Sequence, residues 1–494
     1  MVSSVEIVHR ASSHGSRTAI IEGSRSFSYD ELYEQSLRVA RFLLAKNGGD
    51  LAGARVGFIL PPSFSYAAVQ WGIWSAGGIA VPLPVMYPEA ELEYIIRDCG
   101  ISSVIAHDTL RDKVPAFEQL YSVSEAAREG DQALPRIEKN RPAMILYTSG
   151  TTTRPKGVVT MHANIEAQIT MLVQAWGWIE SDHTLLVLPL HHVHGLINVL
   201  SCALWAGAKC EVLPKFEAKQ TWSSFSRGDI TVFMAVPTIY SKLIAEWQAA
   251  PDKEAMSAGF KLMRLMVSGS AALPVTTLAK WQEITGHVIM ERYGMTETGM
   301  TLSNPLEGTR VPGSVGSPLP GVQVRLAGDN EKPVADGEPG EIQVKSGGVF
   351  NEYWNRPDST KESFTADRWF CTGDIAVREN GVYRILGRKS VDIIKTGGYK
   401  VSALEIEEAL RAHPAVSDCA VVGVDDEVWG QKVCAAVIVK GQLDPPLLRT
   451  WAKERLAPYK VPADIKVVDE LPRNALGKAV KPQVAKMFHP NTKV

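Results

Sequence analysis

Short apolar segments rich in valine and isoleucine alternate with helical patterns through the first two thirds of the chain. In one such unit, the apolar run at 54–60 is followed by a helical pattern at 66–76. Further short strands that end in polar or glycine turns are predicted at 103–106, 184–188, 232–236 and 264–267. The alternation predicts parallel sheets covered by helices, in which ligand sites collect at the ends of strands.

A new unit begins after Arg388. Ser402 and Glu405 have the spacing of a capping box, which predicts a helix that runs through Leu410 and that Pro414 ends. Two strands and a second helix complete an α+β module of about a hundred residues, which is a normal domain size. They are predicted at 419–424, 433–439 and 447–455.

These patterns predict an α/β protein with two unequal domains. The large N-terminal domain combines parallel sheets covered by helices with a small β-barrel-like subdomain, expected at 313–344, where short strands are broken by proline and glycine. The C-terminal domain is smaller and α+β. We place the N-terminal domain at 1–388, a hinge at 389–390 and the C-terminal domain at 391–494.

Composition and charge narrow the range of partners. The 494 residues are 45% hydrophobic and 21% charged, with a formal net charge of −2. This is the balance of a soluble globular protein and predicts no nucleic-acid-binding surface. The longest apolar stretch, 195–212, is broken by polar residues and is short for a bilayer crossing. We therefore expect small-molecule partners, no nucleic acid, no membrane, and a monomer or weak homo-oligomer.

The compartment is predicted from the cysteines and the first residues. Six cysteines are scattered without a CxxC pair or a metal-ligand spacing, which favours reduced thiols. The segment 1–12 has no apolar core of signal-peptide length, and 27–32 already has the pattern of a folded domain. The expectation is a cytoplasmic protein.

The segment 147–157, Tyr-Thr-Ser-Gly-Thr-Thr-Thr-Arg-Pro-Lys-Gly, follows a predicted strand and is rich in hydrogen-bond donors. Its hydroxyls, the backbone amides beside its glycine and its lysine suit the oxygens of a pyrophosphate. No GK[ST] ending occurs in the chain, so this is not a Walker A loop. The composition alone is equally compatible with a solvated connector. The candidate phosphate-binding residues are Thr148, Ser149, Gly150, Thr151, Thr152 and Lys156.

This loop resembles the phosphate loop of the acyl-adenylate-forming superfamily, which includes acyl-CoA synthetases, luciferases and peptide-synthetase adenylation domains. Four further segments occur in that superfamily's order and resemble its adenine turn, its YGxTE motif, its ribose-binding pair and its C-terminal lysine motif. They are 268–274, 291–297, 372–374 with 387–388, and 473–478. The ordered motifs imply an ATP-dependent, AMP-forming acid-thiol ligase that uses Mg²⁺ and coenzyme A.

The resemblance implies a nucleotide site to which the individual side chains are chemically suited. Tyr293 can stack on adenine, and Asp374 can accept hydrogen bonds from ribose hydroxyls. The Glu297 carboxylate can hold Mg²⁺ against the phosphates, with Thr148 as a second metal-side residue. Taken singly, these would be a core tyrosine, a turn residue and a surface charge. The remaining ATP- or AMP-binding candidates are Ser268, Gly269, Ser270, Glu291, Arg292, Gly294, Met295, Thr296, Arg388 and Lys478.

Lys478 is predicted to contribute most to the adenylation rate. When a carboxylate attacks the α-phosphorus, negative charge accumulates between two anions, and an ammonium that bridges them stabilises the transition state more than the ground state. The resemblance also implies that the smaller domain is mobile and rotates about the hinge after adenylation. The rotation withdraws Lys478 and presents the coenzyme A candidates Gly397, Gly398 and Tyr399.

The acid substrate is predicted from Arg292, which stands where many relatives have a small residue. A buried arginine without a partner costs about 3–5 kcal/mol, so an anion must meet it. A second substrate carboxylate suits its two-pronged geometry. His192 and His194 have the same parity, so in an extended segment they would face one way and polarise a small substrate. His192 is the catalytic candidate of the two, and Ser268 is a further candidate for the carboxylate.

A metal site at these histidines is disfavoured, because no Cys, Asp or Glu lies at ligand spacing. The run 191–195 together with 291–297 resembles the malonyl-CoA synthetases. This resemblance implies malonate as the substrate, methylmalonate as a slower one, and malonyl-CoA, AMP and diphosphate as products formed through a malonyl-adenylate. Three alternatives stay open: a medium-chain or aryl acyl-CoA ligase with Arg292 outside the pocket, a nucleotide-binding regulatory protein without turnover, and a ligase that loads a carrier-protein thiol.

Overall fold

The computed structural model describes residues 3–128, 130–148, 154–329, 331–473 and 479–488. In these ranges the strands are β1 Thr18–Glu22, β2 Arg25–Ser28, β3 Arg55–Ile59, β4 Ile79–Pro82, β5 Ser103–Ala106, β6 Leu120–Ser122, β7 Pro142–Thr148, β8 Lys156–Met161, β9 His183–Leu186, β10 Lys209–Val212, β11 Val232–Ala235, β12 Leu265–Ser268, β13 Met290–Met295, β14 Gly299–Ser303, β15 Ser317–Pro318, β16 Gln323–Ala327, β17 Gly340–Lys345, β18 Glu352–Tyr353, β19 Phe370–Glu379, β20 Val382–Arg388, β21 Ile393–Thr396, β22 Tyr399–Ser402, β23 Val416–Asp426, β24 Gly430–Val439 and β25 Asp464–Val467.

The α-helices are α1 Glu6–His14, α2 Tyr29–Asn47, α3 Phe64–Ser75, α4 Glu89–Cys99, α5 Val123–Ala126, α6 His162–Ala175, α7 Cys202–Ala206, α8 Ala218–Ser226, α9 Pro237–Ala249, α10 Lys253–Ser257, α11 Val275–Thr285, α12 Pro357–Glu362, α13 Ala403–Arg411, α14 Pro445–Lys453 and α15 Lys481–Lys486. Shorter 3₁₀ turns lie at Asp108–Lys113, Ala258–Phe260 and Pro458–Lys460, and a π-helix lies at His194–Ser201.

A nine-stranded sheet has the order β15-β14-β13-β12-β11-β9-β10-β1-β2. Its inner pairs from β1 to β13 are parallel, and antiparallel strands extend both edges. Strands β9, β11 and β12 are buried along their whole length, as expected for parallel strands covered on both faces. Ser268 pairs with Glu291 at the end of β12, so the predicted adenine turn and the YGxTE motif start side by side.

A seven-stranded sheet, in the order β18-β8-β7-β4-β3-β5-β6, carries the predicted phosphate loop. Strands β3 to β7 are parallel, whereas β8 and β18 are antiparallel to their neighbours. The loop joins β7 to β8, and its flanking residues Thr148 and Lys156 are paired across these two strands. Strand β18 places Tyr353 beside Val158 of β8.

The expected β-barrel-like subdomain is a four-stranded antiparallel sheet in the order β16-β17-β19-β20. It reaches beyond the predicted range of 313–344, because β19 and β20 extend it to Arg388. The β19–β20 ladder pairs Asp374 with Arg388. The two residues of the predicted ribose site are therefore cross-strand neighbours.

The unit after Arg388 is built on the sheet β22-β21-β24-β23, with β25 parallel to β24. Successive residues of β23 belong to two different apolar clusters, since side chains alternate across a strand. Helices α13 and α14 cover one face and α15 covers the other. Both clusters consist of residues from 394 onward, and the remaining clusters contain residues up to 385.

Helix α13 begins as predicted, with the Ser402 hydroxyl accepting a hydrogen bond from the Glu405 amide at 3.1 Å. The Glu405 carboxylate, expected to bond back to the cap, lies 2.6 Å from Lys460 Nζ. The capping interaction therefore has its first half, and the second half has become a tertiary ion pair.

The apolar stretch at 195–212 folds as a π-helix, the short α7 and β10. Within the described ranges, no helix combines the length and apolar character needed to cross a bilayer. The six cysteines are free thiols, and five of them are buried.

Candidate active site

Strand β13 carries successive candidate side chains to opposite faces. Because neighbouring residues of a strand alternate, Arg292 faces away from Glu291 and Tyr293. The Arg292 guanidinium lies against Gly269, whereas the Tyr293 hydroxyl donates a hydrogen bond to Asp374 Oδ2 at 2.5 Å. One strand therefore serves two adjoining spaces with different chemistry.

The Arg292 guanidinium is buried, and no described residue provides a counter-ion for it. The residue is 4% exposed, and its Nε and Nη2 atoms have no hydrogen-bond partner among the residues that the structure describes. Burial lowers the pKa of Arg292 to about 9, so the side chain is still a cation at neutral pH. A Cβ atom on Gly269 would stand 2.4 Å from Arg292 Cζ, so this position needs glycine. The arrangement is suited to an anion.

His194 adds a neutral donor to the same region. Burial, reinforced by the charge of Arg292, holds the pKa of His194 well below its usual value. Its Nδ1 lies 3.3 Å from the Ser270 hydroxyl, and its buried Nε2 has no partner in the described part of the chain. When the hydroxyl donates to Nδ1, the ring proton is on Nε2 and is available to a ligand. The buried Ser268 hydroxyl is likewise without a described partner.

The expected extended conformation of the histidine run is wrong. Residues 190–192 turn, and a π-helix starts at His194, so the parity argument does not apply. The reversal is tight, because a Cβ atom on Gly195 would lie 2.6 Å from the Pro189 carbonyl oxygen. The ring of His192 lies 4.3 Å from that of His191, and burial lowers the pKa of His192 to about 4. His192 is therefore a neutral imidazole beside the site.

The candidate nucleotide site is organised around the Asp374 carboxylate. Its Oδ1 lies 3.0 Å from Arg388 Nε, and its Oδ2 accepts the Tyr293 hydroxyl. A further bond from Arg388 Nη1 to the Thr372 carbonyl, at 3.0 Å, holds the guanidinium in place. The structure thus brings together the three residues expected at adenine and ribose.

Glu297 and Lys156 meet through Tyr353. The Tyr353 hydroxyl donates to Glu297 Oε1 at 2.8 Å, and Lys156 Nζ lies 5.1 Å from the centre of the Tyr353 ring. Lys156 Nζ also lies 3.2 Å from the Ser359 hydroxyl. A carboxylate and an ammonium from distant motifs are therefore fixed on one aromatic side chain.

The Glu297 carboxylate suits a magnesium ion whose other ligands include phosphate oxygens of the substrate. Glu297 is 7% exposed, and burial raises the pKa of its carboxyl group, so a nearby cation would favour the ionised form. Among the described residues there is no group of three or more His, Cys, Asp or Glu side chains that could hold a metal alone. Magnesium commonly uses one or two carboxylates together with substrate oxygens, and the buried Glu297 carboxylate fits that pattern.

The flanks of the phosphate loop are held by α4. The Tyr147 hydroxyl donates to Asp98 Oδ2 at 2.8 Å, and the Tyr94 hydroxyl donates to the Pro155 carbonyl at 2.9 Å. Both supports come from one helix, so the two ends of the loop have a common base. The candidates that lie outside the described residues are Ser149, Gly150, Thr151, Thr152 and Lys478.

The residues after Tyr293 line the route toward Glu297. Gly294 packs against the chain, because a Cβ atom there would lie 2.2 Å from the Gly299 carbonyl oxygen. Met295 packs against a cluster of four buried residues, three of them aromatic. Thr296 lines a cavity together with Asn198 of the π-helix. Residues 294–296 of the YGxTE motif thus make close packing contacts between the candidate acid site at Arg292 and the candidate magnesium site at Glu297.

Glu291, a nucleotide-site candidate, makes a structural contact. Its Oε1 accepts a hydrogen bond from the Gly313 amide at 2.8 Å. Burial raises the pKa of Glu291 to about 8, and Glu408 of α13 adds to the rise. The side chain is therefore mostly protonated at neutral pH.

The coenzyme A candidates lie on an exposed aromatic surface of the C-terminal unit. Tyr399 is 54% exposed and stacks on Tyr459 with ring centres 4.2 Å apart. Gly397 is covered by Trp429, since a Cβ atom there would lie 2.8 Å from the indole ring. Gly398 has a left-handed backbone, with φ of 84°, which favours glycine.

Sequence reasoning missed Tyr353, Ser359 and Trp429. All three lie outside the recognised motifs and reach the site through tertiary contacts. The only local signal was the aromatic composition of 350–354, Phe-Asn-Glu-Tyr-Trp.

Comparison with known proteins identifies the family of the chain. Residues 7–354 match the family described as AMP-binding enzyme, and residues 405–478 match the AMP-binding enzyme C-terminal domain. The chain is 45% identical over 532 residues to the mitochondrial malonate–CoA ligase ACSF3 of Mus musculus, covering 99% of this chain and 91% of that protein.

Solved structures show the same architecture. ATP-bound MatB from Rhodopseudomonas palustris aligns with a TM-score of 0.90 and 34% identity over 98% of this chain and 99% of that one. The o-succinylbenzoate coenzyme A synthetase MenE from Bacillus subtilis, in complex with ATP and a magnesium ion, aligns with a TM-score of 0.85 and 28% identity over 97% and 98%.

Replacing Arg292 by methionine should stabilise the protein in the absence of ligands. The substitution removes a buried cation with unpaired donors and keeps a long side chain, so we expect a gain of about 1–3 kcal/mol in the free energy of unfolding. Urea unfolding of both proteins measures it. A clear loss of stability would show that the guanidinium has a stabilising partner in the free protein.

Glu291→Gln should flatten the pH dependence of stability. The folded-state pKa of Glu291 is raised, so its contribution is fully present below the unfolded value near 4.5 and is lost as the pH rises through about 8. The wild type should therefore lose up to about 1.4 kcal/mol per pH unit relative to the variant across that interval. Thermal unfolding at pH 6 and pH 9 tests this, and an identical slope for both proteins would contradict it.

Proposed function

The chain belongs to the AMP-binding enzyme family, and on that basis we propose that it is a malonate–CoA ligase. It converts malonate, ATP and coenzyme A to malonyl-CoA, AMP and diphosphate through a malonyl-adenylate, with Mg²⁺ as cofactor. Methylmalonate is the expected slower substrate. The observation that carries the choice of acid is the buried Arg292 guanidinium without a described partner.

A short diacid satisfies the charge of this site better than a monocarboxylate. One carboxylate must remain free to attack phosphorus, so only a second carboxylate can meet Arg292. The contact is a charge-assisted pair, and the Nε–Nη2 edge of the guanidinium offers two parallel donors. The His194 ring and the Ser268 hydroxyl are further buried groups with unused hydrogen-bonding capacity. We assign the substrate's distal carboxylate to Arg292, His194 and Ser268, with His192 beside them.

A medium-chain or aryl acid is less well supported. That alternative required Arg292 to point out of the pocket, but the residue is 4% exposed and packs on Gly269. An apolar tail beside it would leave the cation buried and unpaired, which is the costly arrangement.

Adenylation needs a nucleotide held in a fixed position and a positive charge that stabilises the negative charge of the transition state. We assign the adenine to Tyr293 and the ribose to Asp374, whose carboxylate Arg388 orients. Lys156 and the hydroxyls of the 148–152 segment hold the phosphates. Lys478 stabilises the charge that develops between the attacking carboxylate and the α-phosphate.

A bound Mg²⁺ would be held by Glu297 and Thr148 and would neutralise phosphate charge. The part of this chain in that step is to orient the Glu297 carboxylate, which the Tyr353 hydroxyl does at 2.8 Å. Burial keeps competing water away from the carboxylate.

The thioester step is assigned to the C-terminal domain. We propose the boundary at 388 and a hinge at 389–390. The proposal is supported by the Lys389 amide, which still donates a hydrogen bond to a carbonyl of the N-terminal domain, that of Gly373, at 2.8 Å. Rotation about this link brings the surface of Gly397, Gly398 and Tyr399 to the adenylate, with coenzyme A as the incoming thiol. Trp429, which covers Gly397, belongs to the same surface.

We further propose a cytoplasmic monomer or weak homo-oligomer. The relative from Mus musculus is named as mitochondrial, so the mitochondrion is the competing location. Fractionation of the source cells and sedimentation of the pure protein would decide the two points.

Arg292→Ala should lose on the order of a hundredfold in kcat/KM for malonate, at ~1.4 kcal/mol per decade. Its KM for ATP should be unchanged, because Tyr293 and Asp374 lie on the other side of β13. The measurement is malonyl-CoA formation by mass spectrometry with a panel of mono- and dicarboxylates. Wild-type protein should prefer malonate over propionate, and the variant should lose that preference.

Arg292→Lys is the matched control, because it keeps the charge but not the two-pronged donor geometry. It should fall between the wild type and the alanine variant. Undiminished malonate activity of Arg292→Ala would overturn the assignment of the acid and leave only the general ligase.

A further inference from the structure

A chain of alternating charges in the C-terminal unit reaches both flanks of the segment that carries Lys478. Its members, in the order of their contacts, are Asp392, Lys481, Glu407, Arg411, Asp418 and Arg473. Three cations alternate with three carboxylates, so the cluster has no net charge. Each buried charge is therefore paired, which is the condition for burial without a large desolvation penalty.

Lys481 is the central member and is fully bonded. It is 9% exposed. Its ammonium contacts the Glu407 carboxylate, lies 3.2 Å from Asp392 Oδ1, and donates to the Val421 carbonyl at 2.6 Å. These contacts use all three donors of an ammonium group. A lysine bonded in three directions has one position, unlike a lysine on the surface.

The Asp392 end of the network is tied to the proposed hinge. Asp392 Oδ2 accepts a hydrogen bond from the Arg388 amide at 2.9 Å, and the Asp392 amide donates to the Arg388 carbonyl at 2.8 Å. A Cβ atom on Gly387 would stand 2.3 Å from Asp392 Cβ, so the turn closes tightly. The side chain of Arg388 meanwhile bonds Asp374 at the nucleotide site.

The other end of the network is Arg473, which directly precedes the 474–478 segment. Arg473 and Ala479 form an antiparallel bridge, and the Val480 amide donates to the Pro472 carbonyl at 2.8 Å. The residues that flank the segment are thus paired by backbone bonds, and charged side chains anchor both flanks. Lys478 itself lies outside the described residues.

We propose that Lys481 is a positioning residue for the adenylation step. Lys481 fixes the residues that flank the Lys478 segment relative to the Asp392 carboxylate, which lies next to the proposed hinge. The inference rests on the proposed function, because it takes Lys478 to act in adenylation. A displacement of about 1 Å in catalytic geometry can cost on the order of a hundredfold in rate. Fixed positions for the flanking residues Arg473 and Lys481 limit such displacement.

The two half-reactions separate positioning from general damage. In Lys481→Met, malonate-dependent exchange of pyrophosphate into ATP should fall on the order of a hundredfold. Formation of malonyl-CoA from supplied malonyl-adenylate should be retained, since Lys478 is withdrawn in that step. Lys481→Arg should recover most of the exchange activity, because it restores a cation to Asp392 and Glu407.

Lys460→Met is the matched control in the C-terminal unit. Lys460 pairs with Glu405, which lies on α13 like Glu407, but this ion pair does not reach the residues that flank 474–478. The exchange activity of Lys460→Met should equal that of the wild type. If Lys481→Met does not fold, Asp418→Asn cuts the network at its more exposed end and should show a smaller loss with the same selectivity. A proportional loss of both half-reactions, or full exchange activity in a folded variant, would overturn the proposal. A wild type without malonate-dependent exchange would instead overturn the proposed function.

Discussion

A buried cation, for which the described part of the chain provides no counter-ion, is the constraint on which the rest of the candidate site depends. The Arg292 guanidinium is held inside the large domain with two nitrogen atoms that no described residue satisfies. An unpaired buried charge costs several kcal/mol, so the surroundings have to make room for a ligand that pairs with it. Glycine at 269 provides the space, and the turn before the π-helix brings His194 to the same side. In the proposed function, an acid that pairs with Arg292 removes this cost, and the relief contributes to its binding.

In the proposed assignment, strand β13 keeps a small acid and a large nucleotide apart yet adjacent. The alternation of side chains across a strand puts Arg292 on one face and Tyr293 on the other, only one residue away. Arg292 and Tyr293 thus serve two spaces that adjoin across a single strand. Pairing of Ser268 with Glu291 aligns this strand with the adjacent turn. The relative position of the two candidate spaces is thus set by backbone register.

Much of the fold and the site followed from the sequence, and the failures have identifiable physical causes. The sheets, α13 and the convergence of Tyr293, Asp374 and Arg388 were predictable because each depends on local periodicity or on an ordered motif. The histidine run was assigned an extended conformation, since a period-of-two pattern cannot reveal a π-helix. Tyr353 and the protonation of Glu291 depend on neighbours distant in sequence. Burial and tertiary pairing decide these properties, and a single sequence does not contain them explicitly.

The two domains use buried charge in opposite ways. In the network around Lys481 every cation has a carboxylate, so the cluster has nothing left to offer a ligand and its effect is to hold a geometry. Around Arg292, two nitrogen atoms have no partner among the described residues, and in the proposed function an anionic substrate provides it. A buried cation thus holds neighbouring residues in position when all its donors are bonded within the protein, and it can bind a ligand when some of them are not. The same rule can be applied to a buried ionic side chain in a related enzyme. If all its hydrogen-bond donors have partners within the protein, it holds other residues in position; if some have none, it is a candidate for binding the substrate.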